Sequence, residues 1–323
     1  MNSFPLLLKR EYWEHRGGML WSPVWITGVF LLITVLGIVT AEVFSGKVPV
    51  HTGFSLDQLR NHISDGDLAN AGRGLDVVQV MLVSFASIGV FFVSFFYLLG
   101  SLYDDRRDRS VLFWKSLPVS DASTVASKAL TAMVIIPAIA IAVATVAYVV
   151  FLLVVTLWAG VHGLNALPAV FAAHPFSVAA RLFATLPVGA IWALPAVGWL
   201  MFWSAWARSK PFLWAVMLPL LVWVANWWIG LLGAPHFSGD LRLGSILGRL
   251  LLSVMPGSWI SVSGLGSTKA WLGAQDGPNV QSLDLAGAYG LFTTANLWIG
   301  AIVGLALLAG AIWLRGRRIE VNV

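Results

Sequence analysis

Charge is missing from most of this chain. No Asp, Glu, Lys or Arg occurs in 77–102, 129–180, 182–207 or 285–314. A soluble domain carries about 25% charged residues, whereas this one carries 11%, with 58% hydrophobic residues and a mean hydropathy of +0.82. These stretches cannot face water, so the sequence predicts an all-α polytopic membrane protein built as one transmembrane domain over 1–323. A crossing helix needs about 20 mostly apolar residues. Six such spans are read: Trp21 to Val43, Val77 to Tyr103, Ala129 to Trp158, Arg181 to Arg208, Pro211 to Gly233, and Leu291 to Leu314. Lys9, Arg10, Glu11, Glu14 and Arg16 interrupt the first 21 residues. The N-terminus is therefore expected to be a charged juxtamembrane segment and not a cleaved signal.

The basic residues orient the spans. Lys9, Arg10, Arg16, Arg106, Arg107, Arg109, Lys115, Lys128, Arg208, Lys210, Arg315, Arg317 and Arg318 fall in tails and short loops on one side. Positive charge collects on the cytoplasmic side, so both termini are expected inside. Trp21, Trp25, Trp203, Trp206, Trp214 and Trp313 sit at the same predicted ends, as interfacial tryptophans do. Two longer segments, 42–76 and 234–290, are expected outside. Within the second, Ile246 to Val262 is apolar but holds Arg249 and Pro256. It reads as re-entrant or interfacial helices before the sixth span, because a seventh crossing would place Arg315, Arg317 and Arg318 outside.

Several chemistries are excluded. Without cysteine there is no thiolate metal site or cysteine nucleophile. The histidines (15, 51, 62, 162, 174 and 236) lie outside the predicted spans, which disfavours an intramembrane hydrolase or metal centre. Proton-coupled transport normally needs an ionisable group at membrane depth, and the spans offer none. The basic excess is loop charge and predicts no nucleic-acid partner. No G-x-x-x-x-G-K-[ST] occurs, so energy for driven work would come from another subunit.

The densest predicted cytoplasmic feature is 103–128, YDDRRDRSVLFWKSLPVSDASTVASK. Asp105 and Arg109 have i,i+4 spacing, acid first. Val111, Leu112, Phe113 and Trp114 form a short apolar run that Pro118 ends. Ser120 is a predicted N-cap for the next helix, with Asp121 in its first turn. The pattern predicts a short amphipathic helix on the membrane surface presenting Phe113, Trp114 and Leu117. Such a patch suits either a partner groove or the lipid headgroups.

In these residues the chain resembles the permease subunits of type-2 ABC exporters. Their usual form is E-R-x-x-G-T-x-x-x-L-x-x-L-P-V-S followed by a helix with G-K. Here Asp104, Asp105, Arg106, Arg107 and Asp108 stand at the Glu-Arg, and Ser110 lies near the Gly-Thr, which is itself missing. Leu117-Pro118-Val119-Ser120 matches, and Ala126-Ser127-Lys128 stands for the G-K. The resemblance implies a coupling helix over Arg109 to Leu117, within a cytoplasmic coupling segment 104–128. By the same resemblance it would dock on separate ATPase subunits through Asp104, Asp105, Arg106, Arg107, Arg109, Phe113, Trp114, Leu117 and Pro118. The aromatic residues would be anchors and Arg106 a rim charge. It also implies an N-terminal connecting helix within 1–20, whose face of Phe4, Leu7, Leu8 and Tyr12 is interrupted by Glu11. The chain would be no enzyme by itself and would hold no cofactor, with ATP and Mg²⁺ in the partner. It would pair with a second permease copy or a paralogous permease among the lipids of a bacterial inner membrane.

Other features have two readings each. Pro137, Pro187, Pro195 and Pro219 inside spans are hinges or tolerated kinks. Gly300 and Gly304 form a G-x-x-x-G that marks a dimer contact or packing within one subunit. Asn226 and Trp227 on the fifth span line a substrate path or belong to an aromatic belt. Asp104-Asp105-x-x-Asp108 also has the look of the Mg²⁺-diphosphate motif of membrane prenyltransferases, although no second such motif occurs. A non-transporting anchor or sensor subunit is a third reading. An uncharged, aromatic-rich interior favours amphiphilic cargo: a lipid, peptide or drug.

Overall fold

The computed structural model describes residues 4–44, 65–108, 119–163, 165–232, 243–259 and 285–317. Among them there are helices and turns and no strand. The helices are α1 (Phe4–Phe44), α2 (Asp65–Ser101), α3 (Tyr103–Arg107), α4 (Asp121–Leu130), α5 (Ile136–Val161), α6 (Leu167–Ala172), α7 (Pro175–Ala184), α8 (Leu186–Trp206), α9 (Leu218–Leu231), α10 (Leu243–Leu252), α11 (Leu285–Gly290) and α12 (Ala295–Arg317). Among the described residues, seven helical segments are long and apolar enough to cross a membrane, so this is a multi-pass membrane protein by length and composition. The one that the sequence reading lacks is Leu167–Ala184, formed by α6 and α7 with a break at Ala173 and His174.

The predicted connecting helix and first span are one helix. α1 runs 41 residues, about 60 Å at 1.5 Å per residue, twice the hydrocarbon thickness. Gly17 and Gly18 cost only about 1 kcal/mol each and do not stop it. Its buried positions recur every fourth residue at Leu7, Glu11, Met19, Pro23 and Thr27, the spacing of one helix face. Glu11 therefore belongs to the packed stripe and does not interrupt it.

α2 begins at Asp65, twelve residues before the predicted start of the second span. Gly72, Asp76 and Gln79 share one face of the added turns and meet the α6–α7 break. A Cβ on Gly72 would strike the Ala172 carbonyl. The Asp76 carboxylate accepts from the His174 backbone N–H at 2.8 Å, and the Gln79 amide donates to the Pro175 carbonyl at 3.0 Å. A helix start leaves backbone N–H groups without intrahelical partners; Asp76 supplies one for His174, and Gln79 adds a second tie to the start of α7. Asp76, only 2% exposed, is a buried carboxylate within an apolar helical segment, whereas the sequence reading places it in the outer segment 42–76.

The prolines act locally. A π-turn, Thr131–Ile135, joins α4 to α5 just before Pro137, and a second, Leu213–Met217, precedes Pro219. Proline has no N–H for the carbonyl four residues back and crowds it; a π-turn makes room. At Pro219 the freed carbonyl of Ala215 accepts from the Trp199 indole at 3.0 Å. Pro187 opens α8, where a missing N–H costs nothing.

α8 and α12 form the most extensive helix pair. The reason is backbone approach: a Cβ on Gly198 would strike the Gly304 carbonyl, and one on Gly304 would strike the Leu194 carbonyl and the Pro195 nitrogen. Gly304 thus packs within the subunit. The main core fills the half of the bundle around Leu98, Ile136, Leu200, Met201 and Ala311. A second core joins α2 to α5 through Leu82, Ala144 and Tyr148. A third closes the opposite end through Val188, Trp192, Trp259 and Leu297.

Candidate functional site

One end of the bundle carries a buried ionic network. Glu11 of α1 is 0% exposed and Lys128 of α4 is 2% exposed. The Lys128 Nζ lies 3.4 Å from Glu11 Oε2 and 3.6 Å from Asp105 Oδ1. The Tyr97 hydroxyl of α2 donates to Glu11 Oε2 at 2.8 Å, and Arg10 pairs with Oε1. Asp105 on α3 accepts from Arg315 Nη1 at 3.1 Å, and the Arg315 Nε donates to Asp121 Oδ1 at 3.0 Å. Five helices (α1, α2, α3, α4 and α12) are thereby tied at one level. Buried charges persist only when paired and hydrogen-bonded, and each of these has a partner.

Local structure aims them. The Ser120 hydroxyl accepts from the Ser123 backbone N–H at 3.1 Å, the predicted N-cap. This fixes the start of α4, placing Asp121 toward Arg315 and Lys128 two turns on toward Glu11. The break between α2 and α3 exposes the N–H groups of Leu102 and Tyr103, which donate to Ser204 Oγ at 3.1 and 3.0 Å. Beside the network, a cleft of about 630 Å³ opens between α1 and α2, lined by His15, Gly18, Phe96 and Tyr97.

The sequence-picked residues separate. Arg106, expected as a rim charge, is 5% exposed. It donates to the carbonyls of Ser204 at 2.6 Å and Ala207 at 3.0 Å, the orphan acceptors at the end of α8. Asp105 has a cation on each oxygen. Arg107 and Asp108 face solvent and pair at 3.5 Å. Asp104 lies back over Gly100. The carboxylates of the D-D-x-x-D string thus point apart, and none of the geometry gathers them on a common Mg²⁺. Arg109, Phe113, Trp114, Leu117 and Pro118 lie outside the described residues. Glu11, Glu14 and His15 bring ligand atoms within 4.8 Å of one another, but Arg10 and Lys128 already neutralise Glu11.

The opposite half holds a mostly apolar cavity of about 290 Å³ between α2, α5, α7 and α8. Ser84 and Ser87 line one wall, Gly189 and Trp192 another, and the turns at 253–259 a third. Those turns follow α10 and contain Gly257 at φ 82, the left-handed region open to glycine. Irregular backbone at membrane depth is tolerated where it lines a cavity, so the segment read as re-entrant or interfacial lies on this cavity. Asn226 and Trp227 do not line it. Both are on α9, whose apolar side chains are largely exposed.

No sequence signal singled out Asp121 paired with Arg315, or the cavity wall at 253–259. The spacing of Leu7, Glu11 and Met19 was the available signal for Glu11. No family model matches this chain, and no curated protein or solved structure matches it either.

Proposed function

We propose that this chain is the transmembrane permease subunit of an ATP-driven exporter of the type-2 ABC class, working as a pair of permeases on separate ATPase subunits. The observation that carries the reading is the convergence at the ionic network. The N-terminal helix, the charged end of α2 with α3, and the Lys-bearing start of α4 are the three segments that the family resemblance assigns to the ATPase side. Glu11, Asp105 and Lys128 tie all three together. The segment 109–118 joins two of them, so a partner pressing on it would act on α3 and α4 at once.

Six crossings fit this arrangement. Glu11 and Arg315 stand at the same end, so an even number of crossings separates them. α5 leaves that end and α8 returns to it, where Arg106 holds Ser204 and Ala207. Leu167–Ala184 then stays at the far end, and α7, at 10 residues and about 15 Å, is half a crossing. The excess of Lys and Arg at the end that holds Glu11 and Arg315 supports a reading with both termini in the cytoplasm and the chain in a bacterial inner membrane. ATP and Mg²⁺ belong to the partner, and the cargo is an amphiphile that enters the apolar cavity.

The test is co-purification. An ATPase encoded beside this reading frame, co-expressed and extracted in mild detergent, is expected to come down with this chain. Phe113→Ala with Trp114→Ala is expected to weaken that binding by about thirtyfold or more, the cost of truncating buried aromatic anchors. Retention of full partner binding and ATPase stimulation by the double variant refutes the coupling-helix assignment. A pure, active chain without any nucleotide-binding partner refutes the permease reading.

A further inference from the structure

Arg249 stands out among the described cations. It lies on α10, which packs on α8 and α9. Its guanidinium carbon sits 4.2 Å from the ring centre of Trp192. Its Nε and Nη2 are buried without a hydrogen-bond partner. Gly300 on α12 makes the room: a Cβ there would strike the guanidinium. Trp192 is six residues into α8 and Gly300 five into α12, so the group lies about 8–9 Å below the helix ends at 1.5 Å per residue. Among the described residues no carboxylate pairs with it.

This differs from the opposite end, where the buried charges have counter-charges or, for Arg106, backbone carbonyls as acceptors. A cation–π contact supplies roughly 0.5–2 kcal/mol, less than the several kcal/mol needed to desolvate an ion. Arg249 as a whole is half-buried, but its Nε and Nη2 are enclosed, and the described residues offer these two nitrogens no acceptor. One turn after Arg249 comes Ser253, 4% exposed, with its hydroxyl buried and unpartnered. Ser253 and Trp192 both line the 290 Å³ cavity. That volume lies near the lower bound of about 300 Å³ for small-ligand pockets. Its other walls are apolar, with Val80, Val83, Ile141 and Leu186 among them.

We propose that Arg249, Ser253 and the adjoining cavity form a binding site for an anionic amphiphile. The phosphate or carboxylate head meets the Arg249 guanidinium and the Ser253 hydroxyl. The hydrocarbon tail fills the cavity behind Trp192. A planar guanidinium matches two oxygens of such a head, and head and tail are adjacent because Trp192 borders both. The proposal deepens the permease reading by naming the cargo class, and it rests on that reading only in calling the ligand cargo.

The experiment is direct binding of tritiated oleate to the purified full chain in dodecyl maltoside, by scintillation proximity and without any ATPase. Saturable binding is expected, displaced by dioleoylphosphatidylglycerol and at least tenfold less well by methyl oleate. Millimolar inorganic phosphate is expected not to displace it. Arg249→Gln should weaken oleate at least tenfold while leaving methyl oleate within twofold. Gly189→Leu should weaken both at least tenfold, because a Cβ at Gly189 meets only the Trp259 indole at 3.9 Å and the added carbons fill the cavity. Removing an unpaired buried charge should not lower stability, so Arg249→Gln should melt within about 5 °C of the parent. Any of four results overturns the proposal: no saturable binding, unchanged affinity in Arg249→Gln, displacement by phosphate alone, or a larger fall in melting temperature. Loss of ATPase co-purification with intact oleate binding refutes the permease reading alone. Intact co-purification without oleate binding refutes this site alone.

Discussion

Lys128→Met tests whether the ionic network acts as one unit. Lys128 has 2% of its side chain exposed and faces Glu11 at 3.4 Å and Asp105 at 3.6 Å. At an effective dielectric of 20, each contact is worth about 5 kcal/mol of gross Coulomb attraction. Desolvation cancels most of that, so the intact network contributes little net stability. Removing the cation alone is different, because two carboxylates stay buried. Glu11 keeps Arg10 and the Tyr97 hydroxyl, and Asp105 keeps Arg315. The expected loss is about 3–5 kcal/mol, the usual cost of breaking a buried pair on one side. For a chain of this size that is roughly 6–20 °C in melting temperature, at about 2–4 °C per kcal/mol. Glu11→Gln should cost a comparable amount. The double variant Glu11→Gln with Lys128→Met should cost at least about 1.5 kcal/mol less than the two single losses added, because the stranded charge is gone. Thermal melting of all four proteins in one detergent closes the cycle. Losses that add within about 0.5 kcal/mol, as they do for distant sites, refute the network.

Other outcomes follow from single contacts. Gly304→Val should cost more than about 3 kcal/mol in thermal melting, since its Cβ meets backbone atoms of Leu194 and Pro195 that cannot move aside; Gly37→Ala, with open space around it, should be neutral. Asp76→Ala should leave the His174 N–H unpaired, at about 1–3 kcal/mol, and raise hydrogen exchange selectively at 173–178. The chain has no cysteine, so Asn165→Cys and Arg208→Cys can be labelled singly: an impermeant maleimide should reach the first in right-side-out vesicles and the second only after permeabilisation. Asp104→Asn with Asp105→Asn should lower stability in Mg²⁺ and in chelator alike, because Asp105 answers Lys128 and Arg315 and no metal.

What the sequence made legible is what depends on near neighbours. Uncharged runs mark helices wherever they fall, so the apolar spans were readable, and Ser120 read correctly as a cap because capping is decided within four residues. The ends of the helices were less readable. α2 reaches back to Asp65 because Asp76 and Gln79 serve backbone groups almost a hundred residues away, a pairing without a local signature. Arg315 with Asp105 and Asp121 is equally remote in the chain. Glu11 read as a flaw in an amphipathic face because the face was judged against lipid. The structure sets that face against a cation and a hydroxyl. Arg106 read as an exposed charge by composition, yet a long flexible stem lets a guanidinium turn inward to cap the end of α8.

The two ends of the bundle handle charge in opposite ways, and this bears on which end can respond to a ligand. At the Lys128 end the buried ions have counter-ions or, for Arg106, backbone carbonyls, the helices are locked by these contacts, and the cost of separating any one is high. At the Trp192 end the backbone is broken after α10, Gly257 sits in a left-handed turn, and Arg249 faces a ring and a glycine. A ligand shifts a conformational equilibrium only by its differential affinity for the two states. A paired ion offers an incoming anion little differential affinity, because its existing partner must first be lost. An unpaired one offers a large amount, because occupation removes a penalty that the empty state carries. On the proposed site, binding energy for movement is therefore concentrated at Arg249 and the 253–259 turns.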